Sequence, residues 1–214
     1  MISRTLWLAA GLAFALVGSG QVAAQSPVQA VRDKAALAVL ERTKTVRTQY
    51  ALYAWNWIYR PDGSVAEEWS AEFNSGNLHR VETPSHRLIA DCAEQTGTAF
   101  VVATGETISG PQVAAAACGI NTNAEILRAE FVGRVSTRFG DGDRVRIEDA
   151  DNMREYDVSA DGVLLGTTYS EAHGEKRVLL RVTPTVLERE IPDPSMFDSQ
   201  SLSRSFVGEE HRLF

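Results

Sequence analysis

Missing signatures narrow this chain first. It contains no recognisable catalytic motif, no histidine pair at metal-ligand spacing and no Cys-x-x-Cys. Motif-borne enzyme chemistry, histidine-based metal sites and dithiol redox catalysis therefore have no support in the sequence, and neither a cofactor nor a metal is expected. No internal repeat or low-complexity tract is present, and past the N-terminus no apolar run is long enough to span a bilayer. Basic charge is also in deficit, with 21 Lys and Arg against 28 Asp and Glu. That balance argues against nucleic acid, or an anionic membrane surface, as the principal partner.

The first 24 residues read as a signal peptide. Arg4 gives a positive start, Leu6 to Val17 an apolar stretch too short for a transmembrane helix, and Val22-Ala23-Ala24 the small residues of a cleavage site. Cleavage is expected before Gln25, where the absence of a cysteine excludes a lipid-anchored export product. A soluble exported chain of about 190 residues then remains, with no transmembrane segment after leader cleavage. That length suits one domain. Residues 25–198 are expected to form it, residues 199–214 to be a polar and partly mobile tail in which Phe206, Val207, Leu213 and Phe214 could fold back, and the protein to be a monomer.

Cys92 and Cys118 are the only cysteines. In an exported chain the default for such a pair is a disulfide.

Thr48 to Tyr59 collects three of the five tyrosines and two of the four tryptophans. Bulky β-formers on both parities predict a strand whose two faces both need covering. Upstream, Val28 to Thr45 reads as a helix with Val28, Val31, Ala35, Ala38 and Val39 on one face. Downstream, Arg60-Pro61-Asp62-Gly63-Ser64 is the strongest turn signal, followed by a meander of short strands broken by Gly and Asp turns. Gln112 to Ala117 interrupts the meander as a short Ala-rich helix. The resulting fold class is α+β, mainly β: an antiparallel sheet of nine or ten strands, curled or closed, with an N-terminal helix across one face and a short helical insert.

Candidate sites follow from side-chain type. Tyr53, Trp55, Trp57, Trp69, Phe73, Phe100 and Val102 are expected to line the hollow of the sheet, either as a cavity for an apolar ligand or as core beneath a helix. Ser85 and His86 near Asp91 invite a hydrolytic triad, although no nucleophile elbow accompanies them. Asp141 and Asp143, and Glu148 to Asn152, could hold calcium or be plain hairpin turns.

The leader, helix, aromatic strand and long meander together resemble the LolA and LolB-like superfamily of periplasmic lipoprotein carriers. The clearest likeness lies in Tyr156-Asp157-Val158-Ser159-Ala160-Asp161-Gly162-Val163-Leu164 and in Ile191-Pro192-Asp193-Pro194-Ser195-Met196-Phe197. The resemblance covers Val28 to Phe197. It implies a half-open barrel closed by helices, an apolar cavity, and a lipid or acylated protein as ligand, with an envelope protein as a further possible partner. The expected protein is a carrier or sensor, not an enzyme. The competing classes are a structural or protein-interaction domain of the envelope and a secreted hydrolase.

Overall fold

The computed structural model describes residues 31–120, 126–191 and 193–213. The expected leader, its cleavage point, residues 28–30 of the expected helix, Pro192 and Phe214 lie outside them. No helix among the described residues is long and apolar enough to cross a membrane.

In chain order the elements are β1 (Val31–Arg32), α1 (Lys34–Lys44), β2 (Tyr50–Tyr59), β3 (Val65–Ser75), β4 (Leu78–Glu82), β5 (His86–Asp91), β6 (Thr96–Val101), β7 (Thr107–Ser109), α2 (Pro111–Ala117), β8 (Arg128–Thr137), β9 (Gly140–Glu148), β10 (Asn152–Ser159), β11 (Leu164–Glu171) and β12 (Val178–Glu188). Three 3-10 turns follow, at Pro194–Phe197, Ser199–Ser203 and Glu209–His211. All strands join one sheet in the order β1-β8-β9-β10-β11-β12-β2-β3-β4-β5-β6-β7. Eleven of them run antiparallel, and β1 adds two residues in parallel to the start of β8. The mainly β class with two helices holds, but the sheet is neither closed nor strongly curled. Each face carries its own cover, so its apolar side chains are buried without the edges having to meet.

Two local expectations shift. The helix starts at Lys34, because Asp33 caps it by accepting from the Ala35 N–H, while Val31 and Arg32 are drawn into β1. Its buried stripe is Ala36, Val39, Leu40 and Thr43, one step round from the sequence-based face, and Leu37 is left exposed. Gly140 to Gly142 form the start of β9 and not a turn, since Thr137 pairs with Gly140 across a two-residue loop.

Register assigns the faces, because directly paired residues project to the same side. On one face, α1 packs over Ala129, Val145, Ile147, Tyr156 and Val158. α2 packs on the same face over Leu88, Ala90 and Ala99. Cys92 and Cys118 form a disulfide that fastens the end of α2 to the end of β5. The two helices meet where Gly119 and Ile120 abut Thr43, with the Ile120 N–H donating to Thr43 Oγ1 at 3.0 Å.

The opposite face is covered by the C-terminal segment. Met196 and Val207 are buried against Ala51, Tyr53, Ala71 and Phe73, with Phe197 and Phe206 alongside. Residues 199–213, expected to be partly mobile, are thus packed on the sheet as far as Arg212, which lies over Trp69. A buried polar group fixes them. Arg80 donates to the carbonyls of Met196, Ser201 and Arg204, and Glu82 accepts from the Phe206 N–H and from Ser205 Oγ. Arg87 donates to the carbonyls of Leu202 and Ser203.

Candidate functional site

Between the two helices, the helix-bearing face of the sheet is formed by β11, β12, β2 and β3. The register brings Tyr169, Leu180, Ile58 and Ala66 into one row across these strands, and Thr167, Val182, Asn56 and Glu68 into the next. Ile58, Ala66, Tyr169, Leu180 and Val182 are each half-buried, whereas Ala54 and Pro184, further along, are buried. The side chains that give β2 its alternation are therefore split: Ala54, Asn56 and Ile58 serve this strip, and Tyr53, Trp55 and Trp57 point away from it.

The end of the strip nearest the helix junction is closed. Tyr50, Leu52, Val163 and Leu165 form a buried cluster with Val46, Phe139 and Leu187 packed against it. Beside it lies a polar group built by β2, β3 and β4. Tyr50 OH lies 3.5 Å from Glu72 Oε2, to which it donates, His79 Nδ1 is 3.3 Å from Asn74 Oδ1, and Asn74 Nδ2 donates to the Thr48 carbonyl at 2.8 Å. Burial raises the Glu72 carboxyl to about 7 and lowers the His79 imidazole to about 4, since each resists charging when withdrawn from water. Burial likewise pushes the Tyr50 phenol well above its ordinary range.

Six of the seven residues singled out from sequence do share a face, but it is the one opposite the helices. Tyr53, Trp55 and Trp57 on β2, Trp69 and Phe73 on β3, and Phe100 on β6 all follow the parity of Arg80 and Glu82. Tyr53 and Phe73 are filled core beneath the C-terminal segment: their rings meet edge to face, and Tyr53 stacks on His211 at 3.7 Å. Trp55 pairs directly with Trp69, with Trp57 two residues on, and all three are half-buried. Arg87 lies over Phe100 at 5.8 Å, and Val102 sits past the end of β6. The sequence signal for the helix-side strip was the other parity of the same strand, with its small and aliphatic residues masked by the tryptophans beside them.

No family model and no curated protein matches the sequence. Among solved structures, an uncharacterized conserved protein from Thermus thermophilus is similar at 14% identity and a TM-score of 0.52, over 80% of this chain and 94% of that one. A LolA superfamily protein from Nitrosomonas europaea is similar at 11% identity and a TM-score of 0.42, over 78% of this chain and 99% of that one. The solved neighbours of this chain thus include LolA superfamily proteins. A putative outer membrane lipoprotein-sorting protein domain from Vibrio parahaemolyticus also aligns, at 9% identity and a TM-score of 0.37, over 79% of this chain and 97% of that one. At such identities the likeness is one of fold.

The remaining candidates resolve into structural roles. His86 Nδ1 is 2.8 Å from Ser85 Oγ, but Asp91 stands at the far end of the same strand, where its Oδ1 accepts from the N–H groups of Ala93 and Glu94. A strand of that length separates them by roughly 16 Å, so no triad is assembled. Asp143 pairs with Arg42 at 2.7 Å, and Asp149 pairs with Arg154 while capping the turn to Asn152. These carboxylates are engaged as ion pairs. Away from the helices, a groove of about 440 Å³ on β9 to β12 is lined by Arg144, Glu155, Asp157, Thr168 and Arg181. Arg144 donates twice to Asp157, at 2.7 and 2.8 Å, so that groove is polar and unsuited to an acyl chain.

Proposed function

We propose that the protein is an exported carrier or sensor that binds the acyl chain of a lipid or lipoprotein along the helix-bearing strip of β11, β12, β2 and β3. The observation that supports this reading is the half-buried row of Leu180, Ile58 and Ala66, with Val182 in the neighbouring row, between two helices that pack over other strands. An extended acyl chain laid across it would gain about 0.8 kcal/mol for each methylene removed from water. The buried cluster around Leu52 and Leu187 closes one end, which limits the length of chain accommodated. The disulfide agrees with an oxidising compartment, the one the leader-like start specifies.

The test is native mass spectrometry of the exported chain purified from a bacterial envelope, together with titration of a fluorescent fatty acid. A lipid-sized adduct and saturable binding are expected, with binding weakened about tenfold or more by Val182→Asp, which places a charge in the strip. A ligand-free protein that takes up no fatty acid would overturn the reading. The second reading, an envelope interaction domain without a ligand, is favoured by the solid packing beneath Tyr53 and Phe73 on the other face.

A further inference from the structure

We propose that the tryptophan patch at the hairpin end of β2 and β3, on the face away from the helices, docks the protein on the surface of a phospholipid bilayer. Trp55 and Trp69 are paired across the two strands and Trp57 lies on the same side. Two large aliphatic side chains at this end are exposed. Val65, opposite Tyr59, is 46% exposed, and Leu213, the residue after Arg212, is 73% exposed. These are two of the four large apolar residues exposed among those described. The same patch carries arginines: Arg181 is the register partner of Trp57 and is exposed, Arg212 lies 5.4 Å from the Trp69 ring centre, and Arg60 begins the hairpin turn.

Each part suits the water–hydrocarbon boundary. Indole rings favour the headgroup level, aliphatic side chains extend past it, and guanidinium groups make paired hydrogen bonds to phosphate oxygens. The acids on this end are Glu67, opposite Trp57, Asp62, whose Oδ1 already accepts from the Ser64 N–H and Oγ, and Glu209 and Glu210, in the turn that leads into Arg212. Arginines and acids are mixed on this end, and the chain as a whole is acidic. Long-range attraction to an anionic membrane is therefore weak, and adhesion arises at contact. A sugar platform would use the same rings but would leave Val65 and Leu213 in water. The inference does not depend on the carrier reading, because the patch and the acyl strip lie on opposite faces.

In the chain from Gln25 onward, Trp55, Trp57 and Trp69 are the only tryptophans, so intrinsic emission reports the patch without a label. The experiment adds vesicles of phosphatidylethanolamine and phosphatidylglycerol, with or without brominated acyl chains, to this chain. A blue shift and quenching by the brominated lipid are expected. Val65→Ser combined with Leu213→Ser, both at exposed positions, should weaken vesicle binding about tenfold or more with no change in the urea midpoint. Val132→Ser, exposed on β8 at the far edge, should leave binding unchanged. Unquenched emission, equal binding by the double variant, or a shift produced by a soluble chito-oligosaccharide and not by vesicles would each overturn the proposal. An acyl adduct in native mass spectra is read separately and bears only on the carrier function.

Discussion

Arg80 and Glu82 project from the same side of β4 with Nε and Oε1 2.7 Å apart, and neither side chain is reached by solvent. The pair is the hub of the C-terminal segment: one partner gathers three backbone carbonyls and the other accepts a backbone N–H. Because the contacts are to main chain, a polar and serine-rich sequence can be held as firmly as an apolar one. Phe206 adds its ring between Arg80 and Arg204, at 4.9 and 4.5 Å.

Replacing Glu82 with Ala would leave a buried guanidinium uncompensated. The expected cost is about 3–5 kcal/mol of stability, read as a lower urea midpoint. Limited trypsin digestion should then cut at Arg204 and Arg212 well before the body of the sheet. Unchanged protection of these two sites in the variant would show that the segment is held by its apolar residues alone.

The Glu72 and His79 pair predicts opposed pH effects. Glu72, raised to about 7 in the folded protein, contributes stability that is present below its ordinary pKa of 4.5 and lost as pH rises through 7. His79, lowered to about 4, contributes stability that is present above 6.5 and lost as pH falls through 4. The two offset each other between pH 4.5 and 6.5. Glu72→Gln removes the first alone, so the variant should gain on the parent progressively from pH 4.5 to 7, by up to about 3 kcal/mol, in urea melts across that range. A constant difference across the range would mean that Glu72 is solvated.

Reduction of the Cys92–Cys118 bridge releases a constraint spanning 26 residues of sequence. Loss of about 3 kcal/mol is expected from the chain-entropy argument, measured as the difference in urea midpoint with and without reductant. Hydrogen exchange in α2 should accelerate first, because this helix is only seven residues long and has no side-chain N-cap.

Gly119 has φ of +75°, and a Cβ there would come within 2.7 Å of the Thr43 carbonyl carbon and oxygen. Gly119→Ala should therefore destabilise the protein by about 2 kcal/mol and pry the ends of α1 and α2 apart. If the acyl strip is bounded by these helices, fatty-acid affinity will fall with it. Undiminished stability would show that the junction yields easily.

Much of the framework was legible because it rests on local chemistry. Arg60 to Ser64 turns as Pro and Gly dictate, the strands fall where alternation places them, and the two cysteines pair. The candidate cavity was harder to place. Trp55, Trp57 and Trp69 were grouped correctly by parity, yet parity does not say which side of a sheet receives the helices. The Asp33 cap was likewise hidden, since an aspartate inside an apparently helical run looks like any other polar helix position until the Ala35 N–H donates to it.

The amino-acid order alone determined the mainly β class, the two short helices and the shared face of the aromatics, because alternation and turn chemistry act between neighbours in the chain. Tertiary structure decided that α1 and α2 lie on the face of Ile58 and Leu180, that the C-terminal segment occupies the aromatic face, and that the sheet stays open. Those outcomes depend on contacts such as Arg80 with Met196 and Ser201, more than a hundred residues apart in sequence. Nothing in either local stretch encodes such a meeting: it follows only when burial of both faces is solved at once.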